Sequence, residues 1–133
     1  VEKEKVISKL KNFLDGQAKF ALIYGSILTE YFTEESDIDI GLYFGNNGNL
    51  NDRVQLKQDL EKHFDYKYEF DVVLLDSADP IIAMQILANG LLIVEEDRLA
   101  FIKYKARMIS EYLDFKMDRK IIEDRIREGS IYA

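Results

Sequence analysis

Ten residues separate Gly25-Ser26 from Asp37-Ile38-Asp39, and that spacing constrains this chain more than any other feature in it. Glycine permits a tight turn or a close backbone approach. In an extended strand residues i and i+2 project to the same face, so Asp37 and Asp39 are expected to stand side by side. The remainder of that stretch, Ile38, Ile40, Leu42, Tyr43 and Phe44, is largely apolar. Two carboxylates held so close repel one another unless a cation lies between them. Paired oxygen ligands suit Mg²⁺, which commonly takes one or two carboxylates together with substrate phosphates. The pattern predicts a turn, a short connection and a strand bearing a charged pair, an arrangement that looks like half of a metal–nucleotide site.

A further carboxylate points the same way. Asp71 sits in Phe70-Asp71-Val72-Val73-Leu74-Leu75, where a charge is costly unless it is paired or metal-bound. If that strand lies beside the Asp37/Asp39 strand, Asp71 completes a three-carboxylate cluster able to hold one or two divalent ions. Glu69, two residues away, shares its expected face and competes for that third position. His63, the only histidine, falls near an expected helix C-terminus and reads as structural. Asp76 and Asp79 flank a turn before Pro80 and read as capping residues.

Periodicity supplies the elements around this cluster. Val6, Ile7, Leu10, Phe13 and Leu14 recur at helical spacing over about 2–15, and Gly16 ends that helix. Strands are expected at 19–24, 37–44, 68–75 and 91–94. Short or longer helices are expected at 27–32, 51–63 (through Val54, Leu56, Leu60 and Phe64), 80–88 and 97–116, with a separate polar helical segment near 118–128. Residues 45–49, Gly-Asn-Asn-Gly-Asn, form the clearest loop. This order predicts an α/β (α+β) fold, a small mixed β-sheet flanked by helices, with a long C-terminal helix. One domain, 1–133, is expected, with about 1–96 as its core and about 97–133 as a C-terminal helical segment.

The long helix carries two apolar stripes. Leu99, Ile102, Ala106, Ile109 and Leu113 form one; Phe101, Tyr104, Met108, Tyr112 and Phe115 form the other. Their centres lie roughly 140° apart, so one core-facing side cannot bury both. Either the helix is wedged between the domain and the C-terminal segment, or the aromatic–Met stripe is a protein-binding face through which homo- or hetero-oligomers form.

The net charge of −7 weighs against broad binding to a phosphate backbone, so direct nucleic-acid binding is not expected. A small triphosphate or a protein partner fits better. Cysteine is absent, which removes disulfides and thiolate chemistry and fits a cytoplasmic setting. No apolar run approaches the roughly 18 residues of a membrane span, and the charged start shows no secretory pattern.

With Gly25-Ser26, Asp37-Ile38-Asp39 and Asp71 in place, the chain resembles the polymerase-β-type nucleotidyltransferases. Its size resembles the minimal nucleotidyltransferase (MNT) branch. Tyr112-Leu113-Asp114-Phe115-Lys116 is similar to the C-terminal segment of MNT antitoxins, the partners of HEPN toxins. The resemblance implies a nucleotidyltransferase fold and these roles. Gly25 and Ser26 contact the nucleotide phosphates, with the short helix after Ser26 aiming its N-terminus at them. Asp37, Asp39 and Asp71 bind one or two Mg²⁺ ions, and ATP is the substrate. Asp71 takes the acceptor's proton as AMP passes to a hydroxyl, expected to be a tyrosine, on a HEPN-type toxin. Ile27-Leu28-Thr29-Glu30-Tyr31 departs from the family pattern, being acidic and lacking a second glycine, and is expected to weaken phosphate binding or shift specificity. Two alternatives stay open: a non-catalytic antitoxin acting by stoichiometric contact through the C-terminal helix, and a small-molecule nucleotidyltransferase.

Overall fold

A computed structural model of the chain describes residues 2–45 and 50–128. In chain order these form helix α1 (Glu2–Leu14), strand β1 (Phe20–Tyr24), a single 3-10 turn (Gly25–Leu28) and strand β2 (Ile38–Tyr43). Helix α2 (Leu50–His63), strand β3 (Phe70–Leu74), helix α3 (Pro80–Asn89), strand β4 (Leu91–Glu95) and helix α4 (Arg98–Glu128) follow. Residues 46–49 of the expected loop lie outside the described residues.

The four strands make one mixed sheet in the order β3-β2-β1-β4. The neighbours of β1 run antiparallel to it, whereas β2 and β3 are parallel. That parallel pair needs a crossover, which α2 supplies. Strand alternation then sorts the side chains. Ala21, Ile23, Ile38, Ile40, Leu42, Phe70 and Val72 face α1 and α2, where Leu10, Leu14, Leu56, Leu60 and Phe64 close the larger core. Val54, expected on that buried stripe, is exposed. Phe20, Leu22 and Leu75 face α3 and α4, meeting Ala83, Ile86, Tyr104 and Met108.

Helix α3 starts as its sequence requires. The Asp79 carboxylate accepts a hydrogen bond from the Ile82 N–H at 3.0 Å, and Pro80 occupies the first turn, where no N–H is needed. Asp76 does a different job from the one expected. Its two oxygens accept from the N–H groups of Phe44 (2.9 Å) and Gly45 (2.7 Å), closing the end of β2. The ring of His63 lies 4.7 Å from that of Phe13, joining α2 to α1, which is a structural role.

Two expectations about α4 need correction. The helix is continuous over 31 residues, with no break near 117. Met117, Asp118, Arg119 and Lys120 contain no glycine or proline, and Arg119–Glu123 and Arg127–Asp124 pairs bridge successive turns. The aromatic–Met stripe is not an open face along its first half, Phe101 to Met108, whereas Phe115 further along it is exposed. Tyr104 (2% exposed) and Met108 (3%) are buried on the sheet, while Leu99 (59%) and Leu113 (57%) face solvent. Tyr104 is chosen for the inside because its hydroxyl has a partner there: it donates to the Leu75 carbonyl at 2.8 Å.

Candidate nucleotide and metal site

The strand register brings the expected residues together. Tyr24 pairs with Asp39 across the antiparallel β1–β2 ladder, and Asp39 pairs with Asp71 across the parallel β2–β3 ladder. All three lie on the α3/α4 face, since their neighbours Ile23, Ile40 and Val72 lie on the other. They form a row across three strands at one end of the sheet. Two residues further along β2, a Cβ on Gly41 would already touch Ile86 of α3 and Leu75. The helix thus covers that face at Gly41, whereas Asp39 stays partly open and Asp71 exposed. Asp37, exposed, sits one residue ahead of β2.

Gly25 is required where it stands. Its φ of +81° lies in the left-handed region, and a Cβ built there would come 2.1 Å from Asp39 Oδ2. The missing side chain is therefore the space that the carboxylate occupies. Ser26 follows, partly buried, in the 3-10 turn, whose Ser26 carbonyl accepts from the Thr29 N–H (2.9 Å) and hydroxyl (2.8 Å). The expected helix over 27–32 is only this four-residue turn. Too short for a useful macrodipole, it offers individual N–H groups and one hydroxyl.

Electrostatics agree with this placement. The Asp39 carboxyl is pushed above the usual carboxylate range by burial first, then by the neighbouring Asp71 and Asp37 charges. Burial, followed by the charges of Asp39 and Asp71, raises the Tyr24 phenol to about 12. Burial is the larger cause of each shift, and the smaller charge effects come from the neighbouring carboxylates. One premise about Asp71 does not hold: it is exposed at the start of β3, not enclosed by the apolar residues that follow it. Glu69 lies outside β3 and does not contribute to the shift of Asp39. Among the described residues, no set of three or more His, Cys, Asp or Glu side chains is grouped so that it could hold a metal ion, so the expected three-carboxylate cluster is not assembled as such. The donor chemistry still fits a hard divalent cation that keeps one or two carboxylates and takes its other oxygens from a phosphate or water. Tyr24 was not foreseen as a neighbour of the carboxylates; its position directly ahead of Gly25 was the available signal.

Residues 4–99 match the family described as "Polymerase beta, Nucleotidyltransferase", and the chain belongs to that family. Among curated proteins, none matches it by sequence. Solved structures share its fold at low identity. A chain from a toxin–antitoxin structure with AMP-PNP is 22% identical, with 96% of this chain and 99% of that one covered at a TM-score of 0.71. A chain from the complex of a tri-AMPylated Shewanella oneidensis HEPN toxin with its MNT antitoxin is also 22% identical, with 94% and 95% covered at 0.65. A third chain, from Shewanella oneidensis, is 24% identical, with 92% and 98% covered at 0.68. No helix among the described residues is long and apolar enough to cross a membrane.

Proposed function

We propose that this chain is the MNT-type antitoxin of a toxin–antitoxin pair, transferring AMP from ATP to a tyrosine hydroxyl of a HEPN-type toxin and so neutralising it. The observation that carries this reading is the Asp39–Asp71 row, with Asp37 beside it and Asp39 Oδ2 lodged against Gly25. The solved complexes support it further, since one contains AMP-PNP and another an AMPylated HEPN toxin.

The residues divide the work as follows. The N–H groups at Gly25 and Ser26, with the Ser26 hydroxyl, bind phosphate oxygens of ATP. Gly25 lets the triphosphate approach the backbone closely. Asp37, Asp39 and Asp71 would hold one or two Mg²⁺ ions, whose positive charge would offset the negative charge of the triphosphate and lower the pKa of the acceptor hydroxyl. The acceptor oxygen bonds to the α-phosphorus. The bond from that phosphorus to the bridging oxygen breaks, and pyrophosphate leaves. Asp71, the most open of the row, takes the hydroxyl proton.

The test is to incubate the chain with its toxin, ATP and Mg²⁺ and to weigh the toxin intact. One or more adenylate adducts are expected on the toxin. An unmodified toxin, under conditions where the two proteins bind, overturns the reading.

A further inference from the structure

The C-terminal part of α4 projects past the sheet. Its docked face ends at Met108, and from Ile109 to Glu128 only Tyr112 and Asp124 are even partly buried. A 31-residue helix spans roughly 46 Å, far more than the face it covers. Beside this overhang, the first turn of α3 contributes Ile81. Between them opens a cleft of about 500 Å³ lined by Ile81, Tyr112, Phe115, Lys116, Arg119 and Lys120, with Glu123 at its edge. Arg119 is held by Glu123 at 3.1 Å, and the Lys116 ammonium lies 5.3 Å from the Tyr112 ring centre. Around the cleft the same helix exposes Leu113, Met117, Ile121, Ile122 and Ile126.

The composition of this cleft selects its occupant. Two aromatic rings and an isoleucine form an apolar wall, and three cations stand together in a chain whose net charge is −7. Aromatic, Met and Arg side chains are the types enriched in protein interfaces. A polyanion would meet the repulsion of the whole acidic molecule, whereas a short acidic segment feels chiefly the local lysines. We infer that this cleft docks an acidic segment of the protein partner, which places an apolar side chain against Ile81, Tyr112 and Phe115 and carboxylates against Lys116 and Lys120. The cleft opens by the first turn of α3, just past the end of β3, whereas Asp71 stands at the start of that strand. It therefore holds the partner without touching the reacting atoms.

The inference rests on the proposed function only for the identity of the partner. The test uses the full chain and the HEPN-type toxin, measuring both the Kd of the pair and the dependence of AMP transfer on toxin concentration. Lys116→Glu with Lys120→Glu should raise Kd and KM by at least about tenfold and leave kcat unchanged. Lys103→Glu with Lys105→Glu, an equal charge change on the docked portion of the helix, should leave all three in place. Equal toxin binding by wild type and the first variant overturns the inference, as does equal weakening by the control. So does a result in which the first variant loses only binding to single-stranded RNA or to anionic vesicles. If the first variant alone loses toxin binding while wild type transfers no AMP, the cleft stands and the enzymatic reading falls. If transfer proceeds and binding is indifferent to Lys116 and Lys120, the cleft falls and the enzymatic reading stands.

Discussion

At the scale of single residues, Gly25 and Asp39 form one unit, because the space left by the first is filled by the carboxylate of the second. Gly25→Ala would combine an unfavourable φ with a steric overlap, and is expected to destabilise the fold by about 1–2 kcal/mol. Displacement of the Asp39 carboxylate should lower AMP transfer at least about 100-fold, since small misplacements at a reacting centre are that costly. Denaturant melts and transfer rates of the variant check both effects; full activity would show that Asp39 need not sit where it does. Asp39 also yields a pH prediction. Its carboxyl pKa is raised in the folded chain, so folding is favoured while the group is protonated, below the unfolded-state pKa. That margin is lost as pH rises through the folded-state value. At pH 7 in a metal chelator, Asp39→Asn should therefore melt higher than wild type by about 1–2 °C, a modest gain because the group is partly solvated. The gain should vanish near about pH 3, where both chains are neutral at this position. Asp37 and Asp39 were legible in the sequence as neighbours because strand alternation sends i and i+2 to one face, whereas Asp71 joins Asp39 only because β3 pairs with β2. The Tyr24–Asp39 pairing was not legible, since antiparallel register depends on where a long connection returns. Nor was the exposure of Asp71, because the apolar residues that seemed to enclose it lie further along its strand.

At the scale of elements, α4 shows what periodicity can and cannot decide. Two stripes were readable, but only packing distinguishes the one that docks. Tyr104 fits the inside because the Leu75 carbonyl accepts its hydroxyl, and Phe101 and Tyr104 meet Phe20 with ring centres 5.0 and 5.5 Å apart. Met108→Ala should therefore cost about 2–4 kcal/mol, whereas Ile109→Ala, one residue away on the exposed side, should change stability by less than about 0.5 kcal/mol. Urea melts of the two variants give the comparison, and similar losses would mean that the helix docks differently. The remaining elements were largely foreseen. Strand ends fall within two residues of expectation, and the Asp79-Pro80 start of α3 holds in detail. The stretch after Ser26 tightened to a 3-10 turn because Thr29 closes it, returning both its N–H and its hydroxyl to the Ser26 carbonyl. The supposed break near 117 came from reading a change in polarity as a boundary. A helix leaving its core changes polarity without ending.

At the scale of the whole molecule, the sheet separates the tasks. Its α1/α2 face is sealed by the larger core, and its other face is covered by α3 at Gly41 but open at Asp39 and Asp71. The helix that completes the second core then continues outward to present the Tyr112–Lys120 cleft. On the proposed reading, chemistry and partner recognition would occupy different regions of one small chain, and damage to one should spare the other. Acidic overall charge makes the central claim testable without any toxin, because a chain of net charge −7 has little reason to attract a triphosphate unless a cation mediates. The direct measurement is a calorimetric titration of ATP into wild type, Asp39→Asn and Asp71→Asn, each with Mg²⁺ and with EDTA. The expected result is ATP binding by wild type that requires Mg²⁺ and weakens at least about tenfold in either variant. ATP binding of equal strength in EDTA, or undiminished in both variants, would contradict the assignment of the Asp39–Asp71 row as a metal–nucleotide site.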